Sequence, residues 1–301
     1  MKLYDFSDIK KLMKPPCNDY IVVRINGLFG DTLHAACKFN YFKKLYPRNN
    51  WIIIHEYGQF DRVEQCLPFF RHLYESGLLK YYFFNKYFGS SRITRELRQL
   101  LNSLKIPNYK ICDGYVFQTK PKILTYPDIN VQIPEKKDPK KAIIFRRSAW
   151  HGHFPERNRP YSEWYKIEKK LLECGYTVYL LGYDDDMNVT DGVVDLRKKM
   201  KVHEILEFAK DASICITTTT FLYVWTQFIC PTFILSAPGD IPNLRMHWKL
   251  TNYMTPLNIA RSDYLKSLFN YINIINNKKY PKFEHTHRNI PSHNNGVLIK
   301  R

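Results

Sequence analysis

In the stretch RINGLFGDTLHAACKFNYFKKLYP, residues 24–47, an aspartate stands where an apolar strand gives way to an amphipathic helix. Gly27 and Gly30 permit a tight turn, and Asp31 falls at or near the N-cap of that helix. A side-chain oxygen at an N-cap accepts N–H groups that the helix start leaves unpaired, a contribution of about 1 kcal/mol. The carboxyl end of a strand is also where open α/β sheets bind ligands. A carboxylate there is placed to take a proton from a hydroxyl. Cap and base both stay open at this point. Three further stretches carry polar chemistry at strand ends. FRRSAWHGHFPERNRPYSEWYKI brings Arg146, Arg147, Arg157 and Arg159 ahead of a helix that begins near Pro160, cations suited to a diphosphate. ITTTTFLYVW (216–225) sets four threonines at a strand-to-helix junction, where hydroxyls and N–H groups either hold phosphate oxygens or cap the helix. LLGYDDDMN closes a strand with Asp184, Asp185 and Asp186, which either bond a ribose or form a turn. No other carboxylate or His cluster supports a metal there, so neither a metal nor a cofactor is expected.

These residues need strands and helices to hold them. YIVVRI (20–25) has the composition of a buried strand. Leu33, Ala36, Cys37, Tyr41 and Leu45 recur at helical spacing up to Pro47, and WIIIHEY (51–57) is a second strand. That makes a βαβ unit. The middle, about 60–125, reads as helical and aromatic, and TYPDINVQIPEKKDPKK (125–141) has the composition of a linker. A second series follows: strand 142–146, helix 161–173, strand 176–182, helix 202–210, strand 213–217, helix 219–229 and strand 232–235. Such alternation predicts parallel sheets with helices on both faces. The expected architecture is α/β, with two Rossmann-like doubly wound domains, 1–133 and 134–301, facing a central cleft. A polar, basic tail follows about residue 274.

At 301 residues and 45% hydrophobic, the chain has enough apolar material for two cores. No apolar run approaches the roughly 20 residues that cross a bilayer, and MKLYDFSDIKKLMKPP lacks a secretory h-region, so a cytoplasmic protein is expected. The seven cysteines are scattered without CxxC spacing, which fits reduced, buried thiols better than a disulfide framework or a zinc site. A net charge of +18 favours an anionic partner: nucleic acid, a phosphorylated glycan, a membrane surface met peripherally, or a nucleotide. Within residues 66–125, Arg92, Arg95 and Arg98 share roughly one helical face, either as a solvated surface or as a guide for an anionic acceptor.

Taken together, the chain resembles the heptosyltransferase type of GT-B glycosyltransferase (glycosyltransferase family 9), which transfers a sugar from a nucleotide-diphosphate donor. INGLFGDTLHAA is similar to the family's N-terminal junction of Gly-Asp and apolar residues. PERNRPYSEW is similar to its K-x-W-P segment, with Arg157 where a phosphate-binding lysine is usual. DLRKKMKVHEILEFAKDASICITTTTFLYVWTQFICPTFIL is similar to its segment ending in DTG..H. The similarity covers about 20–60 and 140–240. The family's aspartate and histidine fall on Thr218 and Tyr223, and its threonine and glycine on Thr219 and Thr220, so the donor sugar does not carry over. Met200 matches a position packed near the nucleotide base.

The resemblance implies an inverting, metal-independent transfer, with a nucleotide sugar and an anionic or glycan acceptor as partners. The N-terminal domain would hold the acceptor beside Gly30, His34, Arg92 and Arg95, with Asp31 as general base. The C-terminal domain would hold the donor through Arg146, Arg147, Arg157, Asp184, Met200, Thr218, Thr219, Thr220 and Tyr223. Two rival readings of the charge are a glycosyltransferase acting on nucleic acid and a non-catalytic nucleic-acid-binding protein.

Overall fold

The structure, a computed structural model, describes residues 1–5, 8, 12, 20–25, 29–33, 35–36, 47–56, 60–85, 98–99, 102, 110–113, 134, 138–146, 159–182, 188–218, 220–226, 229–235, 255–256 and 264–277. The chain divides into two compact units, Met1–Asn130 and Val131–Arg301.

The first unit is built on a five-stranded sheet of β1 (Leu3–Asp5), β2 (Tyr20–Ile25), β3 (Asn50–Glu56), β4 (Leu79–Asn85) and β5 (Lys110–Asp113). The strands lie in the order β1-β4-β3-β2-β5, and every ladder is parallel. A parallel strand is covered on both faces, so it needs a nearly continuous apolar run. YIVVRI supplies one, and all six residues of β2 are buried. A helix, α1, occupies residues 29–33 and 35–36. Two short helices, α2 (Phe60–Glu64) and α3 (Arg71–Glu75), flank a 3-10 turn over Leu67–Phe70. The segment then stops at Gly77, whose φ of 71° is cheap only for glycine. The middle is therefore not helical throughout, because β4 and β5 lie inside it. Tyr82, Phe83 and Phe84 are core residues of β4, and their rings cover both faces of the strand, Tyr82 and Phe84 on one and Phe83 on the other.

The second unit holds β6 (Lys141–Phe145), β7 (Thr177–Leu181), β8 (Val194–Asp195), β9 (Ile214–Thr218), β10 (Thr232–Leu235) and β11 (Thr255–Pro256). All pairs are parallel, in the order β11-β10-β9-β6-β7-β8. Counted from β6, this is the 3-2-1-4-5-6 order of the doubly wound dinucleotide fold. Its helices are α4 (Tyr161–Glu173), α5 (Val202–Ala209), α6 (Phe221–Thr226) and α7 (Tyr264–Asn276). Ala142, Ile144, Val178, Leu180, Ile214 and Ile216 form one core with Trp164, Ile167 and Leu171 of α4 and Leu268, Ile272 and Ile275 of α7. Alternate strand residues meet the other helices: Phe145 packs edge-on against Phe221, and Tyr179 against Phe208. Helices thus cover both faces. α4 ends in a Schellman motif, in which Gly175 N–H donates to Leu172 O and Tyr176 N–H to Leu171 O, with Gly175 at φ 75°.

Some of the cationic excess is internal. Lys141 is nearly buried, with its ammonium 2.6 Å from Asp211 and 3.6 Å above the Phe208 ring. Among the described residues no helix is long and apolar enough to cross a membrane.

Candidate functional site

In the second sheet β6 lies between β7 and β9. The chain leaves β6 toward β7, and β9 begins the half wound the other way. The carboxyl edge between β6 and β9 is therefore the topological switch point, where open α/β sheets receive ligands. Phe145 pairs in register with Thr217, so Arg146 and Thr218 are the next residues on the two strands.

The threonine run divides its labour. Thr217 Oγ1 donates to Thr218 O at 2.9 Å and lies 3.1 Å from Thr220 Oγ1. Thr220 Oγ1 accepts the Leu222 N–H at 3.3 Å, which makes Thr220 the N-cap of α6. Thr218 is fully buried, and its hydroxyl has no hydrogen-bond partner among the described residues. An unmade bond of that kind costs about 1–3 kcal/mol. Tyr223 is buried within α6. Thr219 lies outside the described residues.

Arg146 takes a different part from the phosphate cation expected of it. The side chain is fully buried, and its guanidinium fork meets Glu168 of α4 with Nε–Oε1 at 2.7 Å and Nη2–Oε2 at 2.6 Å. Nη1 donates to Asn188 O at 2.7 Å, and the guanidinium carbon stands 5.3 Å from the centre of the Tyr161 ring. Thr190 Oγ1 adds a 2.6 Å bond to Glu168 Oε2 and lies 3.3 Å from the Tyr161 hydroxyl. The charge is thus matched inside the unit. The sequence held a signal for this arrangement: Glu168 stands on the buried face of α4 with Trp164, Ile167 and Leu171, a lone acid that demands a partner. Arg147, Arg157 and Asp184 lie outside the described residues.

Two neighbours shape the same edge. Gly182, at φ 126°, closes β7 so near Phe145 that an added Cβ would come within 3.1 Å of the ring. Its carbonyl accepts the N–H of Lys198, whose φ of 59° is left-handed and unusual for lysine. That residue belongs to a basic turn, RKKMK (197–201), which contains Met200, half-buried just before α5. Arg197 anchors the turn on Asp195 with bonds of 3.0 and 2.8 Å, and these bonds hold the Asp195 carboxyl below its ordinary range.

In the first sheet β2 lies between β3 and β5, so its carboxyl end is the corresponding switch point. Phe29 and Gly30 are already helical, which sets Asp31 inside the first described turn of α1 rather than before it as a cap. Asp31 and Gly30 are half-buried, and Thr32 beside them is fully buried. The Cys66 thiol is pushed up to about 12, chiefly by burial; a hydrogen bond with Thr32 opposes the rise, and the nearby charge of Asp31 adds to it. Asp31 therefore sits at the switch edge, with partial access to solvent. On the same side of β3 and β4, buried His55 Nδ1 lies 2.8 Å from the Tyr82 hydroxyl. His34, Arg92 and Arg95 lie outside the described residues, and Arg98 is exposed. Among the described residues no group of three His, Cys, Asp or Glu side chains is placed to hold a metal ion.

No protein-family model matches the chain, and no curated protein matches its sequence. Solved structures do resemble its fold. The E. coli ADP-heptose LPS heptosyltransferase II aligns with a TM-score of 0.59 at 13% identity, covering 86% of this chain and 99% of that one. A glycosyl transferase of family 9 from Veillonella parvula DSM 2008 aligns with a TM-score of 0.56 at 11% identity, covering 95% and 94%. At such identities the likeness is one of fold. The resemblance read from the sequence thus extends to the architecture, an α/β fold with parallel sheets similar to that of GT-B glycosyltransferases.

Proposed function

We propose that the chain is a glycosyltransferase that moves a sugar from a nucleotide-diphosphate donor to a hydroxyl of an anionic or glycan acceptor. The observation that carries the reading is the pair of switch edges. One presents a partly exposed carboxylate, Asp31, and the other presents Thr218 with a hydroxyl unpaired among the described residues. The architecture shared with two glycosyltransferases supports it.

In this reaction the first unit holds the acceptor and the second holds the donor. The Asp31 carboxylate takes the acceptor's proton as the oxygen attacks the anomeric carbon, a contribution of about 10²–10⁴-fold. Attack comes from the face opposite the leaving group, so configuration inverts. The anomeric C–O bond to phosphate breaks, and the diphosphate leaves with the electron pair. Its growing charge is met by Arg157 and Arg147 and by the Thr218–Thr220 hydroxyls and N–H groups. Asp184 bonds the ribose, and Met200 packs near the base. Arg146 stays within its ion pair. The acceptor lies beside Gly30 and His34, with Arg92 and Arg95 attracting its charge. No metal is required in this scheme.

The test is a thermal-shift and calorimetric screen against UDP-, GDP-, ADP- and CMP-sugars. A native-state ligand raises the melting temperature by mass action. Saturable binding of one nucleotide class is expected, and failure of all four to bind a folded chain would contradict the reading.

A further inference from the structure

The Arg146–Glu168 pair asks for an explanation that stability does not give. Both side chains are fully buried, and burying two charges costs enough that well-packed apolar replacements are often as stable or more so. What the pair supplies is geometry. A guanidinium fork fixes direction as well as distance, and this one joins the exit of β6 at Arg146 to the body of α4 at Glu168 and to the segment leading into β8 at Asn188, where Thr190 bonds the same Glu168. Tyr161, on the first turn of α4, closes the set through its ring and hydroxyl. Arg146 is also next in register to Thr218, the residue whose hydroxyl is unpaired among the described residues. In sequence the chain runs from Arg146 directly to Arg147 and reaches Asn188 four residues after Asp184.

We propose that Arg146, Glu168 and Thr190 are positioning residues for the donor site, a buried polar clamp that ties the carboxyl end of β6 to α4 and to the segment leading into β8, and so sets the edge where a nucleotide diphosphate is to bind. The inference rests on the glycosyltransferase reading and deepens it. Arg146 acts through the backbone it fixes rather than by touching phosphate. Apolar side chains of similar volume would fill the same space but would hold the edge less exactly in place, and small misplacements at a site are costly in rate and affinity.

The experiment replaces the whole clamp in the full-length chain, Arg146→Met with Glu168→Leu and Thr190→Val, and measures melting temperature, donor Kd by calorimetry, and KM and kcat for transfer. The expected result is a fold at least as heat-stable as the wild type, with donor Kd and KM raised about tenfold and kcat changed less. A folded triple variant whose donor Kd and KM stay within about twofold of the wild type overturns the inference and leaves the clamp purely structural. Should the triple variant not fold, Thr190→Val alone decides. Donor KM raised several-fold at unchanged acceptor KM supports the clamp, and unchanged donor KM overturns it. The two levels fail separately. A wild-type chain that binds no nucleotide sugar overturns the glycosyltransferase reading and this inference with it, whereas wild type and variant binding equally well overturn the inference alone.

Discussion

The two sheets share a plan and use it differently. Each is parallel, and each has its switch point beside the strand that opens its βαβ series, β2 in one and β6 in the other. At the end of β2 the chain enters α1 and presents a half-buried acid, close enough to Cys66 for its charge to help raise the thiol. At the end of β6 the first charged residue turns inward, and Glu168 neutralises it. A charged residue just after a buried strand is thus no sign of a ligand contact by itself. What decides is whether the neighbouring helix brings a buried partner, as α4 does with Glu168.

The largest effect that would sharpen this contrast is on stability. Glu168→Ala leaves the Arg146 charge buried without its partner and should destabilise the second unit by about 3–5 kcal/mol. Chemical denaturation would show it, and a loss under about 1 kcal/mol would mean that the pair is not held as described. Next comes Gly182→Ala, which strains a positive φ and presses on the Phe145 ring. A loss of about 2 kcal/mol is expected, and a neutral result would show the edge of β7 to be looser than its geometry implies. Thr218→Val should raise stability by about 1 kcal/mol, or leave it unchanged, because it removes a buried hydroxyl with no partner among the described residues. Donor affinity should fall several-fold in the same variant, and unchanged affinity would remove Thr218 from the site. The smallest effect concerns Lys198, where glycine would relieve the left-handed backbone. A gain of about 0.5–1 kcal/mol in Lys198→Gly is expected from the same denaturation curves, and a loss would show that the lysine side chain stabilises the turn.

Much of the fold was legible because parallel strands are apolar on both faces. YIVVRI, WIIIHEY, AIIFR, SICIT and TFIL were each found within a residue or so of β2, β3, β6, β9 and β10. LKYYFFN of β4 was not, since its rings lie amid basic residues and follow a helical stretch without a break in composition. β1, β8 and β11 are two or three residues long and are defined by the ladder of a neighbour. Their own sequences carry little signal.

The strand ends were legible in the sequence, and what their residues touch was less so. Strand ends pointed to Asp31, Arg146 and the threonine run, and all three lie on switch edges. The cap at Thr220 follows from local chemistry. That the buried Thr218 hydroxyl has no partner among the described residues does not, because it depends on what the rest of the unit leaves around it. Arg146 looked like a phosphate ligand because Glu168, 22 residues away, meets it only after α4 has formed and packed. The buried acid in WYKIEKKLL could have warned of it.

The central claim is that Asp31 is the base of a sugar transfer, and steady-state kinetics of Asp31→Asn with a nucleotide sugar identified by the donor screen tests it most directly. Asparagine keeps the size and hydrogen-bonding capacity of aspartate but cannot accept a proton at neutral pH. The account predicts an unchanged melting temperature and donor Kd, with kcat reduced about 10²-fold or more. A well-folded Asp31→Asn protein that transfers sugar at the wild-type rate would contradict it.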